Sequence, residues 1–216
     1  MTSDPPATGD PPSPRGWRGS RETWLDAAHA ALTAGGVDAV KILPLAQGLG
    51  LSRTSFYWFF KDRGDLLAAL LERWEAATTR PLTAATSAYA ATETEAMLNV
   101  IAIFLSEDGF ASATEGAVRA WAQQDAAVAA RLAAADAERL DALRAMLMRW
   151  GHDAADADTR ARTVYLVQIG YISMRVEEDR EERLARFPHY VEIYTGRRPA
   201  PGEMERIRAG LPGPPR

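Results

Sequence analysis

Apolar residues in this chain recur every three to four positions, segment after segment, and little else in the sequence constrains its fold as strongly. Leu66, Leu67, Leu70, Leu71 and Trp74 fall on one face of a helix, and similar stripes continue to about Tyr194. Alanine, leucine and arginine dominate while β-branched residues are sparse, so helix propensity and periodicity agree. The reading is an all-α protein. With 216 residues and 47% hydrophobic content, it can bury one large core or two smaller ones.

Residues 1–16 hold five prolines and two glycines and read as a disordered tail. Gly196 to Arg216 is also rich in Pro and Gly, with room for a short helix near Glu203–Ala209. Between these tails, Ser20 can cap a helix carrying Trp24, Ala28 and Leu32, closed by Gly35-Gly36. A short helix is expected at about Ile42–Gly48, and Ser52 can cap another reaching about Phe59. A longer one starts after Asp62. The body reads as helices near 93–106, 112–123, 125–150, 157–178 and 181–194, the last interrupted near Pro188. The expected division is 17–80 for an N-terminal three-helix bundle and 81–195 for a larger helical body, with the joint near Arg80-Pro81.

The chain has no cysteine, which removes disulfides, cysteine-bound zinc and iron–sulfur clusters. Its start lacks the basic and apolar segments of a secretory signal, and no apolar run approaches membrane-spanning length. These point to a cytoplasmic protein with no membrane partner. The net charge is −4, yet residues 15–80 carry nine basic and seven acidic side chains, so the head is mildly basic and the body acidic. His29, His152 and His189 have no metal-ligand spacing. Gly48-Leu49-Gly50 lacks the third glycine and the flanking strand of a nucleotide loop. No nucleophile, base and acid cluster is recognisable. The expectation is therefore no enzyme, no cofactor and no metal.

The segment from Leu45 to Leu66 carries the chemistry. Ala46 lets a second helix approach, Gly50 supplies a turn, and Leu51 and Phe56 fill the space between the two helices. Arg53, Thr54, Ser55 and Trp58 are then directed outward at the start of the second helix, where a helix-turn-helix meets base edges in the major groove.

Here the sequence resembles the TetR family of regulators. The family signature is an Ala-x-x-x-Gly-Val-Ser-type turn and, after it, Leu-Tyr-x-His-Phe-x-x-Lys-x-x-Leu. Ala46, Gly50, Leu51 and Ser52 match the turn, Tyr57, Phe60 and Leu66 match the second half of the signature, and Arg63 stands for the lysine. Phe59 departs from it, in place of the usual histidine. The resemblance implies a homodimer that reads a pseudo-palindromic stretch of double-stranded DNA, usually as a repressor, and answers a small-molecule effector. Carried over, it makes Tyr57 and Arg63 phosphate contacts, with backbone amides beside Arg63 attracting the same anion. Lys41 and Lys61 face the backbone, and Ser52, Arg53, Thr54, Ser55 and Trp58 lie at the DNA surface. An effector pocket is expected in the helical body, with Phe104, Trp121, Tyr165 and Met174 as its candidates and Phe110, Met146 and Tyr171 beside them. Dimer contacts are expected from 157–178 and 181–194, through Val164, Val167, Tyr171 and Met174, with Leu184 and Phe187. The rival reading is a helical protein-interaction module whose helix-turn-helix no longer binds DNA.

Overall fold

The structure is a computed structural model describing residues 19–105 and 110–211. The expected tail at 1–16 and the last five residues lie outside the described residues, as does the end of the expected helix near 106. Among the described residues there are ten α-helices and no strand.

Helix α1 (Arg21–Gly35) begins at Ser20, whose hydroxyl accepts from the Thr23 amide at 3.1 Å. Such a cap contributes about 1 kcal/mol. Its buried face is Trp24, Leu25, Ala28 and Leu32. A 3-10 turn at Val37–Ala39 leads to α2 (Ile42–Gly48), where Pro44 falls in the first turn and costs no helical hydrogen bond. Next comes α3 (Arg53–Phe56), one turn long and ending short of Phe59. The sequence pattern overran it because residues 57–59 continue as turns that still bury Phe60.

The joint near Arg80-Pro81 is not a break. Helix α4 (Arg63–Ser87) runs 25 residues through Pro81. An interior proline costs about 3 kcal/mol. Here Trp74 and Thr78 are buried before it and Leu82 and Ala85 after it, so both halves are held to the core. Pro188 likewise sits inside a continuous helix.

The remaining helices are α5 (Glu93–Ile103), α6 (Ser112–Ala122), α7 (Ala126–Arg149), α8 (Ala154–Ser173), α9 (Arg180–Thr195) and α10 (Pro201–Gly210). Helix α7 packs along α4 and α8, while α9 and α10 both lie on α5. About half of what read as a tail after Gly196 is therefore a docked helix, Pro201–Gly210. Its buried Glu203 accepts from the Thr94 hydroxyl at 2.9 Å and the Ala200 amide at 2.7 Å.

Two apolar clusters result. One joins α1 to α4 with Val118 and Trp121 of α6 and Val128 and Ala135 of α7. The other fills the space between α5, the C-terminal half of α7, α8 and α9. The first cluster thus takes in parts of the body as well as the head.

Candidate nucleic-acid interface

The turn between α2 and α3 is fixed by its backbone. Leu51 N–H donates to the Ala46 carbonyl at 2.9 Å, and Gly50 takes φ +63°, a left-handed conformation that favours glycine. Ser52 caps α3 by accepting from the Ser55 amide at 3.3 Å. Phe56 anchors α3 from below: its ring is fully buried, meets Trp24 edge-on at 5.3 Å and stacks with Phe60 at 5.5 Å. Phe59 is half-buried against the same cluster. The aromatic residues between 56 and 60 therefore divide, with Phe56, Phe59 and Phe60 packing and Tyr57 and Trp58 lying 49% and 65% exposed.

Arg53, Thr54 and Ser52 are exposed together at the α3 start. Arg53 Nη2 donates to the Tyr57 hydroxyl at 3.3 Å, so a cation and a phenol one turn apart hold each other in place. Lys41, the N-cap of α2, and Lys61, just before α4, are both exposed. The structure thus gathers seven of the nine expected contact residues on exposed positions of the motif.

Two differ. Ser55 is buried, not directed outward, and its hydroxyl donates to the Ser52 carbonyl at 2.7 Å, which closes the α3 turn. Arg63 turns inward. Its Nε donates to the Val40 carbonyl and its Nη2 to the Val37 carbonyl, both at 2.6 Å. The amides beside it are also engaged: Asp62 Oδ1 accepts from Asp65 N at 2.9 Å, and Asp65 Oδ2 accepts from Lys61 N at 3.0 Å. Two carboxylates therefore occupy the α4 start, where the sequence suggested room for a phosphate.

The expected effector residues are scattered. Phe104 lines a small cavity between α5, α8 and α9, as does Tyr171. Trp121 instead packs in the N-terminal cluster, because α6 lies against α1. Met174 is exposed beyond the end of α8. Tyr165 has no hydrogen-bonding capacity left for a ligand: its hydroxyl donates to Asp136 at 2.6 Å and accepts from Arg139 at 2.7 Å and Arg119 at 3.0 Å. Burial pushes its pKa well above the ordinary tyrosine value.

That hydroxyl belongs to a polar seam between the two clusters. Arg139 and Glu115 are wholly buried and 3.1 Å apart, Arg139 Nη2 reaches Thr78 at 2.8 Å, and Trp74 Nε1 donates to Glu115 at 2.6 Å. Sequence reading missed it. The available signal was a charge on the apolar register of α7, where Arg139 lies between Ala135 and the pair Leu143 and Met146.

Residues 25–70 match the family model of bacterial regulatory proteins of the tetR family. No curated protein matches the chain. Among solved structures, AmtR of Mycobacterium smegmatis superposes with a TM-score of 0.60 at 19% identity, over 95% of this chain and 100% of that one. That likeness is one of fold, and it extends through the helical body. The matched segment takes in α1 from Leu25 onward, α2, the turn at Gly50, α3 and the first two turns of α4. Over residues 25–70, its helix-turn-helix segment, the chain is similar to bacterial regulatory proteins of the tetR family.

Proposed function

We propose that the protein is a cytoplasmic transcription regulator, in action a repressor, that binds a pseudo-palindromic operator as a homodimer and is released by a small-molecule effector. The observation carrying this is the exposed start of α3, where Arg53, Thr54, Tyr57 and Trp58 stand together on a helix anchored by Phe56. Arginine pairs bidentately with guanine, and threonine reaches polar edges or a thymine methyl. Tyr57, Lys41 and Lys61 are the phosphate contacts in this reading, with Ser52 capping and Ser55 bracing the helix. Trp58 stacks on a deoxyribose. Arg63 acts by holding the motif together.

The dimer face needs revision. Val164, Leu184 and Phe187 are buried in the protomer's own core, and Val167 and Tyr171 line an internal cavity. The exposed apolar residues on the last long helices are Leu166 of α8, at 60%, and Ile193 of α9, at 65%. Thr163, Leu166 and Gly170 succeed one another along α8, and a Cβ at Gly170 would meet nothing within 4 Å, which leaves space for a crossing helix. A two-fold contact there would hold two α3 helices about one DNA turn apart, roughly 34–36 Å.

The test combines sedimentation with titration of genomic fragments selected by the protein. A dimeric mass, binding that weakens steeply with salt, and a palindromic consensus are expected. The double variant Leu166→Glu, Ile193→Glu should be monomeric and lose specific binding. A parent that is monomeric both free and on DNA overturns the two-fold reading, and one that selects no fragment overturns the regulator reading.

A further inference from the structure

A buried side-chain donor without an acceptor and an uncapped helix start come together where α8, α9 and the first turn of α6 meet. Two cavities share a wall made of Gln168, Tyr171 and Arg183. The inner one, about 20 Å³, is water-sized, and beyond that wall it is lined largely by apolar side chains such as Ile101, Phe104 and Phe187. The outer one, about 320 Å³, lies between Ser112 and Ala113 of α6 and the segment Arg175–Glu177.

Gln168 is 2% exposed. Its Oε1 accepts from Arg183 Nη2 at 2.6 Å, which fixes the amide and leaves Nε2 a buried donor with no partner among the described residues. A buried donor left unpaired is costly, so an acceptor supplied from outside gains twice. Arg183 is half-buried, with Gln168 and the Tyr171 ring, 4.5 Å from its guanidinium carbon, as its neighbours. No carboxylate of the described residues pairs with it, although buried cations ordinarily have one. Helix α6 starts at Ala111, which has no capping side chain, and the uncapped first turn borders the outer cavity. Burial raises the Tyr171 phenol, but hydrogen bonds with Tyr190 and Arg186 hold it below the ordinary value, as a positive local field would.

We propose that this wall binds a small organic monocarboxylate. The carboxylate pairs with Arg183 and accepts from Gln168 Nε2, beside the α6 first turn, and the organic body occupies the outer cavity. Helix α6 is tied to the DNA-binding head, since Thr114 shares a 2.7 Å hydrogen bond with His29 of α1. That the bound anion changes operator affinity rests on the proposed function; the binding itself does not.

The test uses benzoate as probe, benzamide as its neutral analogue and inorganic phosphate as the purely ionic one, read by amide NMR shifts on the full chain without DNA. Benzoate should shift residues around 112, 168, 171 and 183, with benzamide at least about tenfold weaker. Gln168→Met and Arg183→Met should each weaken benzoate about tenfold or more. Benzamide binding as tightly as benzoate overturns the proposal, as does phosphate binding more tightly. So does the absence of any benzoate shift up to about 10 mM, where a Kd of about 1 mM would be nearly saturated. The comparison of the three probes on the parent protein stands even if a variant fails to fold. A protein that binds benzoate but no DNA fails as a regulator and keeps this site; one that binds DNA but not benzoate does the reverse.

Discussion

At the start of α4, Arg63 reaches back along the chain to the carbonyls of Val37 and Val40, the two ends of the link between α1 and α2. Charge-assisted hydrogen bonds to backbone contribute about 1.5–3 kcal/mol in favourable cases. Arg63→Ala should therefore destabilise the protein by about 1–3 kcal/mol in urea unfolding, and Arg63→Lys should recover little, because lysine cannot span two acceptors as a fork does. At DNA, Lys61→Ala should flatten the log–log salt dependence by about one unit while Arg63→Ala leaves the slope unchanged. A slope that drops for Arg63→Ala as well would restore it as a phosphate contact. The residue-level lesson is one of direction. The motif spacing gave Arg53, Tyr57 and Trp58 their exposed places, since Phe56 and Phe60 take the buried side of the motif. It could not give the side-chain partners of Arg63 and Ser55, which are backbone carbonyls set by how the chain turns.

Among the elements, helix existence was legible almost throughout, because each stripe of apolar residues has only one structure that buries it. Ends were less so. The two interior prolines marked breaks by local rule, yet α4 and α9 run through them, held by core contacts that lie far away in sequence. The docking of α10 was hidden for the same reason, since Thr94 and its partner Glu203 are separated by 109 positions. A comparable long-range tie joins the start of α5 to the loop before α8. His152 bonds Glu93 through Nε2 and Asp156 through Nδ1, the latter at 2.5 Å. Burial disfavours the charged imidazole, but the two carboxylates prevail and raise its pKa above the ordinary value. A raised histidine pKa stabilises the fold fully below the unfolded value near about 6.5 and ceases to do so as pH rises through the folded value. His29 has the opposite sign, because burial first, and Arg73 next, lower its pKa. The His152→Gln variant isolates the first effect. The stability gap between parent and variant should be largest near about pH 6 and shrink toward about pH 9, by thermal melts at fixed ionic strength. A gap that is constant over that range would mean the bonds carry no charge.

For the molecule as a whole, the question is what joins the two apolar clusters, since neither head nor body is sealed from the other. The seam does it. Trp74 and Thr78 of α4, Glu115 of α6, Arg139 of α7 and Tyr165 of α8 meet around one buried guanidinium, which also lies over the Trp74 ring at 5.1 Å. Arg139 keeps its raised pKa because burial, which opposes its charge, is outweighed by Glu115 and Tyr165. A paired charge at such a site adds little net stability over an apolar pair, but without Arg139 the buried Glu115 keeps only the partly exposed Arg119, at 2.8 Å, as counter-ion, a loss of up to about 3–5 kcal/mol. Arg139→Met should therefore lower stability by that amount. Glu115→Gln keeps an acceptor for Trp74 Nε1, so in the double variant neither a buried carboxylate short of a counter-ion nor an unpaired indole N–H remains. The double variant should then be more stable than Arg139→Met alone by about 2 kcal/mol or more, a non-additivity read from a urea double-mutant cycle. If the two losses simply add, the buried ion pair is not what binds the clusters together, and the packing of Trp74 and Phe110 on either side of it must be.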